Sequence, residues 1–208
     1  MEHTVRFLLE NHSYFIDERP VPSVTQVLAD LIPGWRAADF YLLRGRAIHA
    51  YAALIARGQP FDIPDTDPEN RAYVFGCVAA LHHFFDEVKP HILAVEARVF
   101  SQAHLFGGTL DLLIVLNGEI TVLDFKATLT KAVPFQCAGY AIAYPETAGI
   151  KSAIRYGVGV EIRPDGKYQM GKITDLKLYK PKFLAMLSTF NSRRECGIAE
   201  TKEDENVE

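Results

Sequence analysis

The chain has few cysteines, no long apolar run and no excess of positive charge. Its three cysteines, Cys77, Cys137 and Cys196, are spaced too widely for a zinc, iron–sulfur or disulfide pattern, so we expect free thiols. No run of about 18 apolar residues occurs, which argues against a membrane span. The N-terminus is interrupted by charged residues and lacks the apolar segment of a signal peptide. We therefore expect a cytoplasmic protein.

The formal net charge of −4 argues against a surface coated in basic residues, although it allows a local basic groove. Apolar residues make up 49% of the chain and charged residues 23%, which is ordinary globular composition. The length suits one domain over residues 1–197, with a helical N-terminal part at 1–89 and a mixed α/β part at 90–194. The acidic stretch 198–208 is expected to be a disordered tail.

The order of predicted elements is helices, three strands, a helix, two strands and a helix, which indicates a mixed α/β fold. Tyr14, Phe15 and Ile16 favour a short strand, with residues 17–19 as its turn. Ser23 and Gln26 then form a capping box at a helix start. The remaining predicted helices are 37–57, 68–88, 134–144 and 181–194, and the remaining strands are 92–100, 109–116, 119–125, 153–162 and 167–173.

A β-hairpin is predicted around Asn117-Gly118, the dipeptide preferred in two-residue type I′ turns. If these two residues form the loop, residue 116 faces 119 and Asp111 faces Asp124. Lys126 lies two residues after Asp124 and projects from the same face of the strand. Two carboxylates and an ammonium group therefore lie side by side in a hairpin whose other residues are mostly apolar.

Such a group of charges is typical of a site for a divalent cation. Like charges directly opposite one another destabilise a sheet, and buried ionised groups are costly unless they are paired or bind metal. Mg²⁺ prefers oxygen ligands, and Asp111 and Asp124 supply them, with the Phe125 carbonyl as a further candidate. A cation of this kind assists phosphodiester hydrolysis. Lys126 can orient or deprotonate the attacking water, or stabilise developing negative charge.

Three further segments contain candidate site residues. Gln136 and Tyr140 lie on one face of a predicted helix, where an amide and a phenol can hold a substrate backbone or support Lys126. His49, close to Arg46, is a candidate metal ligand or phosphate contact. Glu96 interrupts an apolar strand and is either a third carboxylate of the metal site or a partner for an arginine such as Arg98. Trp35 can stack on a base or pack at a helix end.

These residues together resemble the PD-(D/E)xK nucleases in their RecB-like exonuclease branch. The resemblance lies in Gly108-Thr109-Leu110-Asp111, in Asp124-Phe125-Lys126, in Gln136-x-x-x-Tyr140 and in Gly45-x-x-x-His49. Residues 22–28 also resemble the opening of prophage-encoded and mitochondrial genome-maintenance-type exonucleases.

The resemblance implies a restriction-endonuclease-like core, a mixed β-sheet flanked by helices, at residues 90–194. It implies that Asp111, Asp124 and His49 bind Mg²⁺ or Mn²⁺, that Lys126 serves the water, and that Gln136 and Tyr140 support the site. Some relatives hold an iron–sulfur cluster on four cysteines, which the three dispersed cysteines do not provide.

The expected activity is metal-dependent exonucleolytic hydrolysis of DNA, at single-stranded or duplex ends, in phage recombination or DNA repair. A non-catalytic nucleic-acid-binding recombination accessory and an endonuclease of the same fold are the alternatives. The sequence contains no P-loop, which a helicase would need, so any helicase would be a separate partner. A single-strand-annealing protein is the other possible partner.

Overall fold

The computed structural model describes residues 4–10, 12–32, 39–63 and 67–198. The helices in this part of the chain are α1 (Val24–Leu31), α2 (Asp39–Ala56), α3 (Pro68–Val88), α4 (Val133–Ala148) and α5 (Tyr179–Glu195). The strands are β1 (Val5–Leu8), β2 (Ser13–Ile16), β3 (Arg19–Val21), β4 (His91–Ser101), β5 (Phe106–Leu116), β6 (Glu119–Lys126), β7 (Tyr156–Ile162), β8 (Tyr168–Met170) and β9 (Thr174–Asp175). A 3₁₀ turn, Leu176–Leu178, precedes α5.

The central sheet has the strand order β4-β5-β6-β7-β8, and β9 also pairs with β7. The pair β6–β7 is parallel, and the other pairs are antiparallel. The chain passes from β6 to β7 through α4, since a parallel connection has to return along the sheet. The sheet is therefore mixed, and the fold is the mixed α/β class expected from the sequence.

Helices cover both faces of this sheet, which explains why its inner strands are apolar on both sides. One core contains residues of α1, α4 and α5, including Val24, Tyr140 and Phe183. The other contains residues of α2 and α3, including Ile48 and Phe84. The part of the sheet that contains the charged residues of β5 and β6 therefore lies between α2 on one face and α4 on the other.

A small sheet formed by β1, β2 and β3 is attached to the start of β5. The Tyr14 hydroxyl lies 2.8 Å from Thr109 Oγ1, and the Gly107 N–H donates to the Pro22 carbonyl at 2.9 Å. Ser23 and Gln26 form the expected capping box at the start of α1. These contacts hold the N-terminal segment against the strand that contains Asp111.

The hairpin prediction is confirmed, because Leu116 pairs with Glu119 and Leu112 with Leu123, the register set by a two-residue turn at Asn117-Gly118. Two details of the predicted elements were wrong. Arg19 begins β3 instead of completing a turn, and β1 was not predicted, because a strand of four half-exposed residues has no clear apolar alternation.

Other predictions differ from the structure only at their margins. The strand predicted from residue 153 begins at Tyr156, and α4 extends to Ala148 with Pro145 inside it. Cys77, Cys137 and Cys196 all lie within the described residues and form no disulfide. Within the described ranges, no helix combines the length and apolar character that crossing a bilayer requires. Trp35 and residues 199–208 of the predicted tail lie outside the described residues.

Candidate active site

Carboxylates from three adjacent strands stand at one level of the central sheet. Val95 pairs with Leu112 and Ala97 with Leu110, so Glu96 on β4 is level with Asp111 on β5. The β5–β6 ladder ends at Leu112 and Leu123, and the next residues along the two strands are Asp111 and Asp124. Asp111 and Asp124, expected across from each other, are thus one residue beyond the last paired position, where the Phe125 N–H bonds to the Asp111 side chain. Glu96 adds a carboxylate from a third strand.

Asp111 is buried and connects three elements. Its Oδ2 accepts a hydrogen bond from the Phe125 backbone N–H at 2.7 Å and lies 2.9 Å from His49 Nδ1. His49 comes from α2, on the opposite side of the sheet from α4. The Asp111 carboxylate thus accepts the bond that the Phe125 N–H would otherwise make to the backbone of β5. The same carboxylate fixes the orientation of the His49 imidazole.

Asp124 is fully buried, at 0% exposure, and it forms an ion pair with Lys126. The distance from its Oδ2 to Lys126 Nζ is 2.7 Å. Its other oxygen, Oδ1, has no hydrogen-bond partner within the described part of the chain. A buried carboxylate oxygen without a donor is costly, and a bound cation would remove that cost.

Glu96 lies with His49 and Asp111 in a cluster whose ligand atoms are all within 4.8 Å of one another. Its backbone φ is +49°, in the left-handed region that a residue with a side chain rarely adopts. Arg98, the alternative partner considered from the sequence, instead stacks on Phe7 at 4.4 Å. Glu96 therefore combines a strained backbone with a carboxylate that lies next to His49 and Asp111.

The charges of this cluster alter each other's pKa values. Burial opposes protonation of His49, but the Asp111 carboxylate outweighs burial and raises the His49 pKa. Burial likewise opposes ionisation of Asp111, yet His49, Lys126 and the Phe125 N–H hold its pKa below the ordinary value. In the metal-free protein, each member of the His49–Asp111 pair therefore favours the charged form of the other.

Two other carboxylates have raised pKa values. Burial raises the pKa of Asp124 to about 6, although the Lys126 ammonium counteracts the rise. Burial, assisted by the charge of Asp111, raises the pKa of Glu96 to about 7. Burial opposes the charged form of Lys126, but Asp124 and Asp111 together raise its pKa. Burial therefore disfavours the charged forms of Asp124 and Glu96 in the metal-free protein.

Gln136 and Tyr140 lie on one face of α4, as their spacing predicts, and both are buried. Gln136 Nε2 donates to the Tyr140 hydroxyl at 3.0 Å, while Gln136 Oε1 has no partner among the described residues. Gly108 lets Tyr140 approach β5, because a Cβ at residue 108 would lie 2.7 Å from Tyr140 Cε1. Burial raises the Tyr140 pKa well above its ordinary value, so the phenol stays neutral.

One cleft of about 950 Å³ is lined by six of the candidate site residues, namely His49, Glu96, Asp111, Lys126, Gln136 and Tyr140. Asp124 and Phe125 lie behind it. Its lining also includes Arg46, Arg57, His12 and Thr109. Arg57 was not identified from the sequence, although it lies in the helix predicted at 37–57, eight residues or about two turns after His49; in the structure it directly follows the last residue of α2. His12 had no sequence signal, because it reaches the cleft through the packing of the N-terminal sheet.

The residues present fit a divalent cation of the Mg²⁺ or Mn²⁺ class. Carboxylate oxygens suit both ions, and an imidazole is a ligand that Mn²⁺ accepts. His49, Glu96 and Asp111 form the one cluster of three possible ligands found in the described ranges, and Asp124 adds an oxygen without a hydrogen-bond partner.

Comparisons with known proteins give limited similarity. No protein-family model and no curated protein matches the chain. Among solved structures, the chain is similar to the alkaline exonuclease LHK-Exo from Laribacter hongkongensis, with a TM-score of 0.39 and 12% identity over 86% of this chain and 95% of that chain. The crystal structure of LHK-Exo in complex with dAMP gives a TM-score of 0.40 at the same identity and coverage. At these values the likeness does not decide the function, which depends on the side chains of the cleft.

Proposed function

We propose that the protein is a Mg²⁺- or Mn²⁺-dependent deoxyribonuclease that hydrolyses phosphodiester bonds at DNA ends. The observation that supports this most directly is that Glu96, Asp111, Lys126 and His49 line one open cleft, with the buried Asp124 paired to Lys126 directly behind it. Metal-assisted hydrolysis of a phosphodiester uses a group of this kind, with oxygen ligands for a cation beside a fixed ammonium group.

Asp111, Asp124 and His49 would hold the cation, with Glu96 and the Phe125 carbonyl as further ligands. The cation supplies neutralisation of phosphate charge and a hydroxide near neutral pH. Asp124 positions the Lys126 ammonium, which orients the attacking water and stabilises negative charge on the scissile phosphate. Gln136 Nε2 donates to the Tyr140 hydroxyl and holds it in place, so that the hydroxyl proton can be donated to a phosphate oxygen of the sugar–phosphate backbone.

A nucleic acid backbone suits the cleft, because Arg46 and Arg57 line it beside the carboxylates; the choice of DNA comes from the motif resemblance. Arginine binds phosphate oxygens with two parallel hydrogen bonds, so the pair can hold backbone phosphates next to the cation site. The requirement for a DNA end comes from the motif resemblance, as does a role in phage recombination or DNA repair.

The test is hydrolysis of end-labelled single-stranded, duplex and circular DNA, with Mn²⁺, Mg²⁺ or EDTA. We expect shortening of linear DNA with either ion, no cleavage of circles and no activity in EDTA. Asp124→Asn and Lys126→Ala should abolish activity. The matched controls, Asp86→Asn and Lys151→Ala, remove exposed charges elsewhere and should retain it.

Three results would contradict the proposal. Activity that survives Asp124→Asn would exclude this site, and cleavage of circular DNA would replace the exonuclease with an endonuclease. Calorimetry that detects no Mn²⁺ binding, together with DNA binding but no hydrolysis, would favour the non-catalytic accessory.

A further inference from the structure

A second cleft, of about 490 Å³, lies on the other side of the first turn of α4. Phe135 of this turn lines the second cleft, whereas the next residue, Gln136, lines the candidate active site. The remaining walls come from residues 129–131 after β6, from β7, from residues 171–174 and from the start of α5.

Positive charge is concentrated at this second cleft, which we call the lysine cleft. Lys131, Lys172 and Lys182 line it and are exposed, and the described residues of its lining include no aspartate or glutamate. In the described part of the chain, none of the three forms an ion pair. In a protein of net charge −4, three unneutralised ammonium groups around one concave surface indicate an anionic partner.

Two aromatic rings also line the lysine cleft. The rings of Phe135 and Tyr179 meet edge to face, with centroids 5.1 Å apart, and Lys182 Nζ lies 5.5 Å from the Tyr179 centroid. Single-stranded nucleic acid is bound by this combination, since bases stack on rings while phosphates contact lysines. An acidic peptide would use the lysines but not the rings, so the cleft favours a nucleic acid strand.

The lysine cleft is continuous in the chain with the candidate active site. Strand β6 ends at Lys126, and the cleft begins three residues later at Leu129. We propose that the lysine cleft binds the single-stranded DNA segment that adjoins the end undergoing hydrolysis. This inference rests on the proposed nuclease function and adds a strand path to it.

The test compares a charge-reversed cleft with a matched control. The cleft variant is Lys131→Glu, Lys172→Glu and Lys182→Glu in one chain. The control reverses three exposed lysines outside both clefts, Lys89, Lys151 and Lys167, and so has the same net charge. Binding of a fluorescent 30-nucleotide oligothymidylate is followed by anisotropy in EDTA, where hydrolysis does not interfere. Circular dichroism checks that both triple variants fold. If either does not fold, the same three lysines are changed to glutamine in both proteins.

We expect the cleft variant to bind at least about tenfold more weakly than the control. The slope of log affinity against log salt should fall by about 2, the value for three lost phosphate contacts on a single strand. Tyr179→Ala should weaken binding about fivefold or more, whereas Tyr179→Phe keeps the ring and should bind as the wild type does.

Equal binding by the cleft variant and the control would overturn the inference, as would displacement of the oligonucleotide by poly-glutamate at equal charge concentration. Hydrolysis separates this failure from failure of the proposed function. A dinucleotide too short to reach the cleft should be hydrolysed equally by wild type and cleft variant, while long single strands are degraded more slowly by the variant. Unchanged degradation of long strands would contradict the proposed role of the lysine cleft but not the nuclease function. An inactive wild type would contradict the nuclease function and, with it, the proposed strand path.

Discussion

The carboxylate of Asp111 accepts a 2.7 Å hydrogen bond from the backbone N–H of Phe125, at the point where the β5–β6 ladder ends. The same oxygen lies 2.9 Å from His49 Nδ1. One oxygen atom of Asp111 therefore holds the β6 backbone and is also a proposed metal ligand. Substitutions of Asp111 can separate these two roles.

We expect Asp111→Asn and Asp111→Ala to abolish hydrolysis equally but to differ in stability. The asparagine amide oxygen can still accept from Phe125, whereas alanine leaves a buried N–H without a partner, which costs about 1–3 kcal/mol. Urea denaturation in EDTA measures the difference. Equal free energies of unfolding for the two variants would show that the Phe125 hydrogen bond contributes nothing to stability.

Glu96→Gly should be more stable than Glu96→Ala by about 1 kcal/mol. Both variants lose the carboxylate, but only glycine adopts a φ of +49° without strain. Thermal unfolding of the pair isolates the backbone contribution, and both should bind Mn²⁺ more weakly than the wild type. If the alanine variant were the more stable, the left-handed conformation of residue 96 would be wrong.

Glu96 should also make the metal-free protein less stable as the pH rises. Its pKa is about 7 in the folded chain against an ordinary 4.5, so the folded state holds the extra proton between these values. The free energy of unfolding contributed by Glu96 is therefore lost between pH 4.5 and pH 7. Glu96→Gln should remove this loss, which we put at about 2 kcal/mol because partial exposure screens the full shift. Denaturation of both proteins in EDTA across this range measures it; parallel pH profiles would contradict the assignment.

Lys126→Ala should be destabilising without metal and nearly neutral with it. Removal of the ammonium leaves the Asp124 carboxylate buried without a cation, at a cost of about 2–4 kcal/mol in EDTA at pH 8. Saturating Mn²⁺ takes over the neutralisation, so we expect the deficit to shrink below about 1 kcal/mol. Thermal unfolding with and without Mn²⁺ tests this, with Lys151→Ala as the exposed control. A deficit that Mn²⁺ leaves unchanged would argue that Asp124 is not a ligand.

Two glycines of the sequence motifs should respond in opposite ways to alanine. At Gly108 a Cβ would lie 2.7 Å from Tyr140 Cε1, so Gly108→Ala should displace the Tyr140 ring and lower hydrolysis at least about tenfold. At Gly45, within α2, no described atom lies within 4 Å of a built Cβ. Gly45→Ala should keep activity and gain up to about 1 kcal/mol from helix propensity. Kinetics and thermal unfolding of both variants decide the matter.

The hairpin and its charges were predictable because they depend on local rules. A two-residue turn at Asn117-Gly118 fixes the β5–β6 register as far as Leu112 and Leu123, and Asp111 and Asp124 are the next residues of the two strands. The pairing of Gln136 with Tyr140 follows equally from helical spacing. The assignment of these residues to catalysis stays a prediction.

The rest depends on contacts between distant parts of the chain. The left-handed conformation of Glu96 has no signal in its sequence neighbourhood, since glutamate rarely adopts it. The approach of His12 to the site requires the packing of the N-terminal sheet on β5. The lysine cleft combines Lys131, which precedes α4, with Lys182 of α5, and the packing of α4 against α5 brings these two segments together.

The proposed ligands differ in what holds them in place. Glu96, Asp111 and Asp124 belong to hydrogen-bonded strands, whose separation of about 4.8 Å leaves little freedom to adjust to ions of different radius. His49 belongs to α2, which packs on the sheet through side chains alone and can shift without breaking a ladder. Discrimination between Mg²⁺ and Mn²⁺ should therefore reside in the residues that seat α2, such as Ile48 and Ala52, and not in the acidic side chains themselves.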